Sequence, residues 1–203
     1  MHVKSAEFIK SAAKPDQYPP EGPPEIAFAG RSNVGKSSLI NTLLNRKNLV
    51  KTGATPGRTQ LLNFFDVNRD TVFVDLPGYG YARVPARIKN NWGPMVEKFL
   101  STRRTLKGVV LILDIRRPPE NEETDFINWL LAYAIPVILV LTKADKLSKN
   151  KRINQLKAIA GKMGMASEDL ICFSAKTRMG INDVWTAIDH LLAEASMPPD
   201  MDP

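Results

Sequence analysis

The octapeptide Gly30-Arg31-Ser32-Asn33-Val34-Gly35-Lys36-Ser37 fulfils a Gly-x4-Gly-Lys-Ser pattern, directly after the short run Glu25 to Ala29 and directly before a segment of helical period. Few local sequences restrict a fold more tightly. The glycines let the backbone wrap closely round an anion. Successive N–H groups and the N-terminus of the following helix add partial positive charge, and Lys36 adds a full one. The Ser37 hydroxyl is the group such loops offer to a Mg²⁺ bound with phosphates. Because the loop works at the junction of a strand with a helix, the chain is expected to be an α/β protein built around that junction.

The rest of the chain keeps to this plan. Short apolar runs predict strands over 25–29, 61–67, 72–75, 109–114, 137–141 and 170–173, and helical periodicity predicts helices over 36–44, 86–102, 122–132, 149–163 and 181–194. Asn68, Arg69 and Asp70 separate the second strand from the third and mark a hairpin. The expected fold is therefore a P-loop NTPase: a six-stranded, mostly parallel sheet flanked by helices. Residues 1–24 contain Pro15, Pro19, Pro20, Pro23 and Pro24 and read as an N-terminal arm over the surface, 25–195 as the nucleotide-binding domain and 196–203 as a flexible tail.

Composition narrows the function classes. A chain of 203 residues makes one domain of ordinary size. One cysteine, Cys172, and two distant histidines give neither a disulfide framework nor a zinc cluster, and they suit a reducing, cytoplasmic setting. Cys172 reads as a small buried hydrophobe and Trp129 and Trp185 as core. The longest apolar runs, Gly108 to Leu113 and Ile135 to Leu141, fall far short of the roughly 20 residues of a bilayer helix, so no stable membrane association is expected. The net charge of +7 favours anionic partners.

Three further motifs follow predicted strands. Asp75-Leu76-Pro77-Gly78 supplies a carboxylate able to hold Mg²⁺ through water and a glycine whose N–H can meet a γ-phosphate. Thr142-Lys143-Ala144-Asp145 chooses the base. Asp145 can accept hydrogen bonds from guanine N1–H and its 2-amino group, whereas adenine offers neither donor and would leave a buried charge unpaired. GTP and GDP are expected over ATP, which disfavours an ATP-dependent kinase. Phe173-Ser174-Ala175-Lys176 ends the last strand, where small residues let backbone N–H groups approach guanine O6.

These pieces stand in the order of a Ras-like, TRAFAC-class GTPase. From about Glu25 to Glu194 the chain resembles the EngB (YihA/YsxC) family of small bacterial GTPases, on GRSNVGKSSLIN, TGATPGRTQLLNFF, VDLPGYGYA, TKADK and FSAK. The resemblance implies a monomeric cytoplasmic GTPase serving large ribosomal subunit assembly, with rRNA and ribosomal proteins as partners, and normal cell division and septation. It assigns the switch I threonine that closes over Mg²⁺ to Thr59, flanked by Gly57, Arg58, Gln60 and Leu61, with Thr52 and Thr55 as competitors. Ser37, Thr59 and Asp75 are then the metal residues, and Lys36, Thr59 and Asn33 the catalytic candidates. Where many GTPases place a water-orienting glutamine this chain has Tyr79, so slow intrinsic turnover is expected. Asn33 matches the asparagine that coordinates K⁺ in potassium-activated relatives; its alternative role is to satisfy loop backbone.

Residues 83–107 and 143–162 each carry a net charge of +6, together more than the whole excess of +7. Both adjoin nucleotide motifs, and contact with RNA phosphates is weighed against plain solvated helix faces. Tyr79, Tyr81 and Trp92 beside the first stretch suit switch anchoring or base stacking. Two functional classes remain: a GTP-driven switch that docks on an immature ribosomal particle, and a binding module stabilised by its nucleotide that acts directly on division machinery.

Overall fold

In a computed structural model the described residues are 2–50, 61–78 and 86–194, without the side chains of 86–92. Among them, seven strands form one sheet: β1 (Ala6–Ala12), β2 (Glu25–Gly30), β3 (Leu62–Val67), β4 (Thr71–Asp75), β5 (Leu106–Asp114), β6 (Val137–Thr142) and β7 (Leu170–Cys172). Their order is β1-β3-β4-β2-β5-β6-β7. The four strands β2, β4, β5 and β6 are joined in parallel, as is β6 with β7, while β3 runs antiparallel to both β4 and β1. Five α-helices flank the sheet: α1 (Lys36–Leu43), α2 (Ala86–Thr102), α3 (Asn121–Ala132), α4 (Lys149–Met163) and α5 (Ile181–Glu194).

The expected count of six strands is corrected to seven. The additional strand comes from the N-terminal stretch, which does more than lie over the surface. Asn68 secures it: its side-chain carbonyl accepts from the N–H of Lys4 at 2.7 Å and of Ser5 at 3.0 Å, and its amide donates to the His2 carbonyl at 2.9 Å. Asn68 and Arg69 both have positive φ, 59° and 65°, as a tight hairpin between right-twisted strands requires. The β3–β4 hairpin is thus present, but β3 is an inner strand, covered by β1.

Two cores sandwich the sheet. On one face α1 and α5 bring Leu39, Ile40, Leu43, Val184, Trp185 and Ile188 against Phe28, Phe73, Val110 and Ile112. On the other, α2, α3 and α4 bring Val96, Phe99, Leu130 and Ile159 against Phe64, Val74, Leu111 and Leu139. Burial on both faces explains why β5 and β6 read as unbroken apolar runs rather than as alternating ones. Trp185 is buried as expected. Trp129 is only half-buried, stacked at 6.3 Å on Phe126 and 4.5 Å from Tyr133, and Cys172 is half-buried too. No helix among the described residues is long and apolar enough to cross a membrane.

Candidate nucleotide-binding site

The loop 30–37 joins the end of β2 to the start of α1, at the edge where the neighbouring parallel strands also end. Gly30 is required by contact: a Cβ there would come within 2.7 Å of the Ile112 carbonyl on β5. Gly35, the residue before α1, holds φ at 111°, and Asn33 holds 65°. The loop therefore turns its backbone in conformations few L-residues adopt, which gathers N–H groups on its concave side. Asp75 ends β4 beside β2, and its carboxylate accepts from the Lys36 ammonium. Gly78 packs on Ser32, a Cβ there falling 3.1 Å from Ser32 Oγ and 3.3 Å from its Cα. The Ser32 hydroxyl is buried without a hydrogen-bond partner among the described residues.

The Thr-Lys-Ala-Asp segment follows β6 and is strapped to this loop. Thr142 Oγ1 meets the carbonyl of Val34 and lies 3.0 Å from that of Leu113. Lys143 Nζ donates to the Asn33 carbonyl at 2.6 Å and lies 3.0 Å from Oδ2 of Asp114. Asp145 is oriented from the next strand end: Thr177 N–H donates to Ser174 Oγ at 3.2 Å, and Ser174 Oγ donates to Asp145 Oδ1 at 2.7 Å. Ala144 N–H donates to the Phe173 carbonyl at 3.1 Å. Three of the four motifs found in the sequence are thus joined by direct contacts, and the fourth, Asp75 to Gly78, touches the phosphate loop through Lys36 and Ser32.

Asp114 went unnoticed in the sequence, where it is merely the last residue of an apolar strand. It is buried, receives Arg116 Nε at 2.9 Å, Arg116 Nη2 at 2.7 Å and the Arg116 backbone N–H at 3.1 Å, and faces Lys143. Burial alone would push its carboxyl up. The hydrogen bonds from Arg116 and Lys143 outweigh that and hold it down at about 2. An aspartate followed two residues later by arginine, just before Pro118-Pro119, was the only hint available.

The Arg31 side chain points away from Lys36 toward the start of α3, 2.8 Å from Glu120 and 3.7 Å from Glu123, so its contribution to the loop's concave side is its backbone. Ser37 lies in the first turn of α1 and Leu61 just before β3. Thr52, Thr55, Gly57, Arg58, Thr59 and Gln60 lie outside the described residues, as do Tyr79, Tyr81, Arg83, the tail 196–203 and the side chains of Arg87, Lys89 and Trp92. Ser37 and Asp75 offer oxygen only, a donor set that suits a hard cation such as Mg²⁺ shared with phosphate oxygens. Arg103 leaves the basic stretch 83–107: it is buried in a bidentate pair with Glu25.

The model of the 50S ribosome-binding GTPase family matches residues 25–143. A probable GTP-binding protein EngB of Citrifermentans bemidjiense is 59% identical over 196 residues, covering 97% of this chain and 92% of that one. The protein of the same description from Desulforapulum autotrophicum is 56% identical, covering 95% and 99%. Among solved structures, the crystal structure of a probable GTP-binding protein engB matches with a TM-score of 0.70 at 26% identity, over 84% of this chain and 99% of that chain. Era in complex with MgGDPNP and nucleotides 1506–1542 of 16S ribosomal RNA matches at 0.65 and 20% identity, over 89% and 59%, a likeness of fold.

Proposed function

The chain belongs to the 50S ribosome-binding GTPase family and, within it, to the EngB GTP-binding proteins, and on that footing we propose that it is a Mg²⁺-dependent switch in assembly of the large ribosomal subunit. The observation that best supports a switch is the strap between the two nucleotide loops. Thr142 and Lys143 both grip the carbonyls of the phosphate loop, so a nucleotide seated in one loop loads the other.

In this reading residues 25–195 are the GTPase domain, with 1–24 as arm and 196–203 as tail. The backbone of Gly30 to Ser37 cradles the phosphates, and Lys36 leaves Asp75 to meet the β- and γ-phosphates. Ser37, Thr59 and Asp75 would hold the Mg²⁺, which would neutralise charge on the phosphate oxygens. Gly57, Arg58, Gln60 and Leu61 flank Thr59, and Leu76, Pro77 and Gly78 carry the γ-phosphate contact into switch II. Asp145 reads guanine N1–H and the 2-amino group, Ala144 and Lys143 shape the base pocket, and Phe173, Ser174 and Ala175 close over O6. Because Tyr79 replaces the water-orienting glutamine, hydrolysis is slow, and K⁺ at Asn33 is the proposed accelerator. The protein acts as a cytoplasmic monomer, and division and septation depend on it through ribosome supply.

The experiment is binding to purified large-subunit precursors in GTP, GDP and nucleotide-free states. Preference for the GTP form is expected. Equal co-sedimentation in all three states would remove the switch and leave the alternative of a nucleotide-stabilised module. Normal subunit profiles on depletion, with septation failing, would direct that module to the division machinery.

A further inference from the structure

Most cations of the candidate site and its surroundings are already spent. Arg31 is held by α3 carboxylates, Lys36 by Asp75, Arg103 by Glu25, and Arg116 and Lys143 by Asp114. Helix α4 is the contrast. Its 15 residues carry Lys149, Lys151, Arg152, Lys157 and Lys162 and no acid, and none of these forms an ion pair among the described residues. The helix follows Ser148, three residues after Asp145, and ends cleanly before Gly164, which adopts φ 66° while Met165 N–H donates back to the Ala160 carbonyl at 3.0 Å.

The layout of its surface matters as much as its charge. Ile159 and Ala160 are buried and Leu156 and Met163 half-buried, which turns Asn150, Asn154, Ala158 and Gly161 outward, all of them exposed. At 100° per residue, Lys157 flanks that strip on one side, and Lys151 and Lys162 flank it on the other. A smooth strip of small and amide side chains runs between Lys157 on one side and Lys151 and Lys162 on the other, the lysines spread over about 16 Å of helix. An acidic protein partner would need apolar anchors there, yet Ile153 is the one large apolar side chain exposed on α4.

We infer that the outer face of α4 is an RNA-docking surface, the sugar–phosphate backbone lying along Asn154, Ala158 and Gly161 between Lys157 and the pair Lys151 and Lys162. The inference rests on the ribosomal reading above and names the face that carries it.

Gly161 provides a test that leaves the fold alone, because a Cβ there meets nothing within 4 Å. Gly161→Glu and the double variant Lys151→Gln/Lys157→Gln are compared with the unaltered protein, in the presence of a non-hydrolysable GTP analogue. The probes are purified large-subunit precursors and protein-free RNA extracted from them, each over a series of KCl concentrations. GTP affinity, measured alongside, should stay unchanged in both variants. Each variant is expected to lose at least tenfold in affinity for both probes, and the double variant to flatten the log–log salt slope by one to two, about 0.7–0.9 per lost phosphate contact. Unaltered affinity in both variants overturns the inference while leaving ribosomal function intact. A loss on particles but not on protein-free RNA overturns it in favour of a ribosomal protein partner. If the unaltered protein fails to bind particles, the ribosomal reading falls, and α4 stands or falls on the RNA arm alone.

Discussion

The ammonium of Lys143 lies 3.0 Å from the buried carboxylate of Asp114, and the same ammonium reaches the Asn33 carbonyl at 2.6 Å. A strand end, the lysine of the Thr-Lys-Ala-Asp segment and the loop 30–37 are thereby one unit. Asp114→Asn should cost about 2 kcal/mol of stability at neutral pH, since the carboxyl is held at about 2 against an ordinary 3.8. The sign follows from that depression. The carboxylate's contribution is whole above about pH 5, shrinks as pH falls and is gone below about pH 2. Urea denaturation of both proteins at pH 7 and pH 3 checks it, and a gap as wide at pH 3 as at pH 7 would refute it.

Ser174 donates to Asp145 Oδ1 at 2.7 Å and accepts from Thr177 N–H at 3.2 Å, which fixes the carboxylate that the proposed function assigns to guanine. Removing a hydrogen bond to a charged acceptor costs about 1.5 kcal/mol, so Ser174→Ala should weaken GDP and GTP roughly tenfold. Preference over ATP should survive, because Asp145 itself remains. Titration with fluorescent nucleotides reads both quantities.

The phosphate loop was legible because its glycines answer to contacts that no other residue permits, as Gly30 does against Ile112. The parallel strands were legible because burial on both faces leaves their central residues apolar, with polar ones only toward their ends. Strand β1 was not. It is an edge strand whose Phe8 and Ile9 are 51% and 40% exposed, with a register shift between Phe8 and Lys10, so neither alternation nor an apolar run marks it. Arg103 and Asp114 were hidden for a shared reason. Arg103's partner Glu25 and Asp114's second partner Lys143 are distant in sequence and are brought close by the sheet, and Arg116 beside Asp114 gives no periodic signal of its own.

The Asn33 side-chain amide makes no hydrogen bond among the described residues, although its carbonyl is engaged by Lys143. Its φ of 65° is one that asparagine tolerates, and the K⁺ role under the proposed function is tested at its side chain. Turnover should be faster in KCl than in NaCl at equal ionic strength. Asn33→Ala should abolish that difference while GDP affinity falls less than threefold, about 0.6 kcal/mol. Phosphate release under single-turnover conditions is the measurement. Equal rates in the two salts for the unaltered protein would dispose of the potassium role.

Arg103 closes the N-terminal stretch onto the end of α2. Its Nε lies 3.0 and 2.9 Å from the two Glu25 oxygens, its Nη2 donates to Glu25 Oε1 at 2.6 Å and to the Pro19 carbonyl at 3.0 Å, and its guanidinium sits 5.8 Å above the Tyr18 ring. Both charged side chains are almost wholly buried, 6% and 2% exposed. Losing one partner strands the other charge, so Arg103→Met should destabilise the fold by about 3–5 kcal/mol. Replacing both, as Glu25→Gln/Arg103→Met, should restore much of that. Salt should hardly alter the Arg103→Met penalty, because the pair is shielded from solvent ions. Folded Arg103→Met at low temperature should bind large-subunit precursors as the unaltered protein does, which separates this structural arginine from the lysines of α4. A selective loss of particle binding at full stability would show instead that Arg103 contacts RNA.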